Sequence, residues 1–339
     1  MTTASLTLRG NKTRSLTAAT LGFFFGAMSI SLFGPTAKGL ASSMGLSPFE
    51  VGLLVAVPSL SGSLLRIPFG ASVDVNGGSK SLKFLMICSV LGLLGLSWLF
   101  TSYYPNNMTG LYPVLLALGC LAGCGIATFS VGATQVSYWF PKKEQGFALG
   151  LFGGFATTSA GMMCIALPLM LANLGLVNAY YVITAVMIVG TILYFVLCAN
   201  APYFQAREAG LDEMAARDFA TTNGQELFPN GNIVSSLKNS ALIPETWFLV
   251  GTYFTTFGGF MALTAWFPTY WREAHQMEPL TAGILTAAFS IVAALCRVPG
   301  GKVADKIGGV RSSMMALFVV SAMGVLMALN LNATVTFVV

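Results

Sequence analysis

The chain has 339 residues, 55% of them hydrophobic and only 9% charged, with a net charge of +5 and a mean hydropathy of +0.76. Soluble domains carry about 25% charged residues, so this composition argues against a water-soluble enzyme. The positive balance is assigned to membrane topology, and no nucleic-acid partner is expected.

In chain order, apolar runs recur, each near the ~20 residues that cross a bilayer as a helix. They predict spans at 16–40, 49–73, 82–101, 111–138, 146–172 and 177–199. A polar stretch, 200–243, follows, and spans resume at 244–271, 280–303 and 312–331. The fold class is an all-α membrane protein: an N-terminal six-helix bundle over 1–199, a cytoplasmic linker over 200–243 and a C-terminal bundle over 244–339. Residues 333–339 look like the start of a further span, which leaves the second bundle incomplete. With the N-terminus inside, only Lys38 and Arg272 of the 17 basic residues fall outside, while Arg66 and Arg297 lie within the membrane. Basic residues collect on the cytoplasmic side of membrane proteins, so the N-terminus is expected there, in a multi-pass protein of the inner (plasma) membrane whose other partner is the lipid bilayer.

The second and eighth spans carry one motif twice. Arg66-Ile-Pro68-Phe-Gly70-Ala-Ser-Val-Asp74 returns as Arg297-Val-Pro299-Gly-Gly301-Lys-Val-Ala-Asp305, with equal gaps. Gly77-Gly78 and Lys80 recur as Gly308-Gly309 and Arg311 at the same displacement. Each arginine precedes its aspartate by eight residues, or ~12 Å of helix, against a hydrocarbon half-thickness of ~15 Å. Both therefore lie near the midplane, where a charge costs at least ~2.5 kcal/mol and marks a functional site by default. No Asp or Glu occurs in the fourth or fifth span, and Glu245 is at the end of the seventh. Two uncompensated guanidiniums facing one cavity call for an anion between them, for which their paired planar donors are suited. The plainer reading has each arginine bonded to helix-end carbonyls. Asp74 and Asp305 either cap helix ends or, with Gly70, Gly301 and Arg311, exchange partners at a cytoplasmic gate; neither is expected to touch substrate.

Six spans, a polar cytoplasmic stretch and a second set opening on the same motif in the same orientation resemble the major facilitator superfamily, whose two halves are parallel repeats. The resemblance implies twelve spans, of which nine are predicted here. Within that superfamily, Tyr138-Trp-Phe-Pro141 closing the fourth span, Gln145-Gly146 opening a glycine-rich fifth, and Tyr253-Phe-Thr-Thr-Phe257-Gly-Gly-Phe260 in the seventh resemble the nitrate/nitrite porter family. That resemblance implies that Arg66 and Arg297 clamp the anion, that Phe129 and Phe257 sandwich its flat face, and that Tyr253 bonds an arginine or the anion. The family's fifth span typically carries asparagine; here Thr157 stands in its place and offers a hydroxyl. Nitrate, nitrite, formate and oxalate all stay open on that account.

The six cysteines fall within predicted spans, and Cys120 and Cys124 share a face with no His or carboxylate beside them, so neither metal nor cofactor is expected. His275, in an outer loop, receives no role. No nucleophile, base and acid gather at one depth, so an enzyme is not expected. Two function classes remain: a secondary transporter of a small anion, acting as a monomer by exchange, and a membrane sensor or subunit that keeps the fold without transporting.

Overall fold

The computed structural model describes residues 6–229, 232–329 and 332–338. Helix α1 (Lys12–Ala27) starts where the Asn11 side chain accepts from the Arg14 N–H at 2.8 Å. The predicted first span does not continue unbroken. A 3₁₀ turn, Met28–Ser31, and bends around Gly34 and Pro35 separate α1 from α2 (Ala37–Met44). Proline lacks the N–H that would carry the helix through and pushes its predecessor out of helical geometry. Helix α3 (Pro48–Asn76) opens on a reciprocal Ser47–Glu50 capping box and ends at Gly77, whose φ of 71° suits glycine.

Helix α4 (Gly78–Tyr103) is the third span. The fourth is α5 (Tyr112–Gly123) and α6 (Thr128–Trp139), joined by a 3₁₀ turn at Cys124–Ala127. Helix α7 (Gln145–Leu197) covers the fifth and sixth predicted spans with one non-helical residue, Gly175, at φ 75° and ψ 173°. A side chain there would be strained, so one glycine does the work of the expected loop.

The polar stretch holds α8 (Pro202–Glu208), α9 (Glu213–Thr222) and α10 (Ile233–Leu242). Its first part is fastened to the N-terminal helices. Gln205 exchanges two hydrogen bonds with the Arg9 backbone, at 2.8 and 2.9 Å, and the Lys142 N–H donates to Glu226 at 2.9 Å. The seventh span is α11 (Pro244–Tyr253) and α12 (Gly259–Ala274), with a single π turn, Phe254–Gly258, between them. The eighth, α13 (Pro279–Leu295) and α14 (Arg297–Ile307), breaks at Cys296, immediately before the second motif arginine. Helices α15 (Gly309–Ala328) and α16 (Ala333–Val338) follow.

Six of these stretches are long and apolar enough to cross a membrane, the 56-residue Lys142–Leu197 counting once, and the first and seventh predicted spans are built from shorter helices. The core lies in the N-terminal bundle around Phe23, Phe33, Phe100, Phe152, Tyr180 and Tyr194. In lipid, helices associate through packing and interhelical hydrogen bonds worth ~0.6 kcal/mol each. Several buried hydroxyls bridge helices: Tyr180 donates to the Leu32 carbonyl at 2.9 Å, Tyr194 to Gln135 at 3.1 Å, and Ser97 and Thr184 pair at 2.9 Å. Helix α15 buries no residue, and Val310, Met314 and Phe318 are exposed on it.

Helix α7 joins the halves, packing on α1, α4 and α6 on one side and on α13 and α14 on the other. Gly146, Gly150 and Gly154 recur every fourth residue, on one stripe of α7. A Cβ on these residues would strike the Gly301 carbonyl, the Arg297 carbonyl and the Ala294 carbonyl respectively. The glycines thus let the backbone carrying Arg297 press against the N-terminal bundle.

Candidate functional site

Arg66 lies midway along α3, where the Ser130 hydroxyl of α6 donates to its carbonyl at 3.1 Å. Its guanidinium carbon stands 5.1 Å from the Phe129 ring centre and 5.4 Å from that of Phe257. Those two rings are nearly parallel, 14° apart, with centres separated by 6.1 Å. The three distances form a triangle, so Arg66 sits beside the ring pair and not between the rings. A flat group between two rings needs ~7 Å, twice a ~3.5 Å contact; the slot is about 1 Å short of that.

Tyr253 extends the stack, 5.1 Å and 11° from Phe257 and 6.3 Å from Phe129. Its hydroxyl accepts from Arg66 Nη1 at 3.4 Å. Tyr253 immediately precedes the π turn and Phe257 lies within it, and both side chains meet Arg66 of α3 and Phe129 of α6. Such turns recur at functional sites. Arg66 Nε is buried with no hydrogen-bond partner among the described residues, a donor left without an acceptor.

Arg297 opens α14. Its guanidinium carbon is 5.3 Å from Phe257 and 5.7 Å from Phe260, and its Nη1 donates to Thr157 Oγ1 at 3.2 Å. The structure therefore brings Arg66, Arg297, Phe129, Thr157, Tyr253 and Phe257 into one cluster between the halves. Helix-end carbonyls do not engage either guanidinium through a hydrogen bond among the described residues. Ring faces attract guanidinium, at ~0.5–2 kcal/mol per contact, which offsets part of the cost of holding two cations in apolar surroundings.

The later motif residues, toward the C-terminal ends of α3 and α14, lie apart from this cluster. Asp74 accepts from the Tyr138 hydroxyl at 2.6 Å, and Gly70 faces Ser130. Asp305 reaches across to the start of α7, accepting from the Gly146 and Phe147 N–H groups at 2.8 Å each, while Gly301 packs on Gly146. The carboxylate thus caps a helix belonging to the other half. Arg311 is exposed. A cavity of about 380 Å³ lies one to two turns below the arginine site, between Asp74, Ser137, Tyr138 and Leu149 on one side and Leu227, Phe228 and Pro229 of the linker on the other.

Asp305→Ala removes both acceptors and leaves two N–H groups of α7 unmatched. The expected cost is about 1–2 kcal/mol, that of a lost N-terminal cap. It is read as a lower thermal transition in detergent; an unchanged transition would show that the contact contributes nothing.

Three residues of the cluster escaped the sequence reading. Phe260 was visible as the next turn after Phe257, on the same helix face. Gly153 lies one turn before Thr157, and a Cβ there would come 3.5 Å from Arg297 Nη1 and 3.7 Å from Phe129. Ser130, which holds the Arg66 backbone, has no sequence signal. Among the described residues, no three His, Cys, Asp or Glu side chains gather as metal ligands.

Comparison with known proteins bears on this geometry. The family model of the Major Facilitator Superfamily matches residues 19–339. The chain is 28% identical over 278 residues to the probable nitrate/nitrite transporter NarK2 of Mycobacterium tuberculosis, covering 82% of this chain and 62% of that one. It is 27% identical over 331 residues to the probable nitrate/nitrite antiporter NarK1 of Thermus thermophilus, covering 94% and 67%. The chain thus spans about three fifths of the length of the mycobacterial relative. Among solved structures, a partially occluded inward-open conformation of the xylose transporter XylE from E. coli superposes with a TM-score of 0.62 at 15% identity, covering 88% of this chain and 74% of that one. That likeness concerns the fold.

Proposed function

The chain belongs to the Major Facilitator Superfamily, and from that premise we propose that it is a secondary transporter of a small planar anion, nitrate or nitrite first among the candidates. One observation carries the reading: guanidiniums from the two halves, Arg66 and Arg297, stand within 5.4 Å of a single ring, Phe257. An anion held there is held by both halves at once, so its binding is coupled to their relative position. The guanidiniums supply planar pairs of donors, Arg66 Nε among them, and the near-parallel rings of Phe129 and Phe257, 6.1 Å apart, would part by about 1 Å to take a flat anion between them. The relatives bearing nitrate and nitrite in their names support the choice of anion, and the one named an antiporter supports exchange.

On this reading the anion enters as the halves rock about the midplane, and Asp305 of α14, bonded to the start of α7, closes the cytoplasmic side while the site faces out. The transporter is placed in the inner (plasma) membrane with its N-terminus in the cytoplasm, and works as a monomer. Uptake of labelled nitrate by the reconstituted protein, challenged with nitrite, formate, oxalate and sulfate, tests the assignment. Formate or oxalate displacing nitrate with higher affinity would move the substrate; no uptake of any anion would favour a sensor or subunit.

Phe129→Ala and Phe257→Ala widen the slot. Tetrahedral sulfate is then expected to compete several-fold better against nitrate than it does in the wild type. If its inhibition constant is the same in all three proteins, the rings are packing and do not select for flatness.

A further inference from the structure

We propose that Thr157 is a positioning residue that locks Arg297 in place through its lone pairs and makes no contact with the anion, an inference that rests on the anion-transport reading above. A threonine hydroxyl has one hydrogen to give. Thr157 Oγ1 lies 2.6 Å from the Gly153 carbonyl, one turn earlier in α7, and that short contact takes the hydrogen. What is left on the oxygen is acceptor capacity, and Arg297 Nη1 fills it at 3.2 Å. An anion accepts hydrogen bonds, so this oxygen has nothing to offer it. The hydroxyl that the sequence suggested as a donor to the anion is thus directed elsewhere.

The arrangement is stiff. Thr157 is only 1% exposed, and a β-branched side chain has few χ1 choices in a helix. Gly153 completes the device: it supplies the carbonyl, and its missing side chain leaves open the space between Arg297 and Phe129.

Arg66 is held differently. Its guanidinium makes one hydrogen bond among the described residues, to Tyr253, longer at 3.4 Å, and its Nε has no partner there. The two repeat-related arginines therefore have unequal roles. Arg297 is fixed before the anion arrives, and Arg66 has its spare donor satisfied by the anion.

The test is a double-mutant cycle on nitrate binding, measured by calorimetry on the purified protein. Thr157→Val keeps the shape and removes the hydroxyl, while Thr157→Ser keeps the hydroxyl. Thr157→Val is expected to weaken nitrate binding about tenfold, as loss of a hydrogen bond to a charged group does, while the anion-free protein, which loses the same bond, stays folded with a modestly lowered thermal transition. Thr157→Ser is expected to stay within about twofold of wild type. On an Arg297→Lys background Thr157→Val is expected to cost less than about twofold, because the partner it orients is already gone. Equal losses on both backgrounds would show direct contact with the anion and overturn the proposal. So would wild-type affinity in Thr157→Val, or, where Arg297→Lys binds too weakly to titrate, a serine variant as weak as the valine one. Absence of any anion binding or uptake by the wild type is a different result: it removes the transport reading, and this inference with it.

Discussion

Arg66→Lys and Arg297→Lys are each expected to reduce nitrate uptake about 30- to 100-fold, the kinetic equivalent of losing ~2–3 kcal/mol of charge-assisted hydrogen bonding. Lysine keeps the positive charge, so the loss isolates the contribution of the planar fork. At position 297 an ammonium has no second arm with which to hold Thr157 and the anion together, whereas the guanidinium already commits Nη1 to Thr157. At position 66 the change removes Nε, the donor that has no protein partner among the described residues, along with the guanidinium's contacts to Phe129 and Phe257. Uptake of labelled nitrate into liposomes gives the rates, and size-exclusion profiles of the solubilised variants confirm folding. Wild-type uptake in both lysine variants would overturn the clamp.

The repeat and its pair of arginines were legible because charge is rare in this chain. An arginine in an apolar run stands out, and two with the same Pro, Gly and Asp spacing announce a repeat before any helix is located. The aromatic partners came through the family likeness; composition alone does not separate Phe129 from the other phenylalanines of the membrane. What stayed hidden depends on where atoms sit across helices. Gly175 reads as the middle of a loop, yet its left-handed backbone lets one continuous stretch turn a corner. The π turn at Phe254–Gly258 leaves no hydropathy signature, although it sets the angle of Tyr253 and Phe257. Asp305 was expected at a helix end or a gate, and it caps the start of α7, across from its own helix α14. Thr157 was legible as a hydroxyl near the site, but the direction of its hydrogen bond depends on the short distance to Gly153.

Transport is expected to proceed by exchange: uptake of labelled nitrate into liposomes should require a trapped counter-anion such as nitrite and should ignore an imposed pH gradient. Proton-driven carriers place an Asp, Glu or His within the membrane to carry the proton. Among the described residues the motif carboxylates lie eight residues beyond the arginines and are engaged elsewhere, Asp74 by the Tyr138 hydroxyl and Asp305 by the N–H groups at the start of α7. His275 lies beside Tyr270 after α12, away from the arginine cluster. The charges at the site are Arg66 and Arg297, which stay protonated at physiological pH. With no anion, reorientation moves two mutually repelling cations through a low-dielectric passage, where their desolvation is not repaid. With one monovalent anion bound, one charge is cancelled and the remaining donors are satisfied, so the loaded form crosses faster than the empty one. Exchange follows from that difference in barriers, whichever of the two anions moves inward. The measurement uses vesicles with and without internal nitrite, each with and without a pH gradient. A large nitrate uptake into vesicles lacking counter-anion, driven by the gradient, would overturn exchange in favour of proton symport. Uptake that rises at least about tenfold with internal nitrite and is unmoved by the gradient is the expected result, corresponding to ~1.4 kcal/mol or more between the empty and loaded barriers.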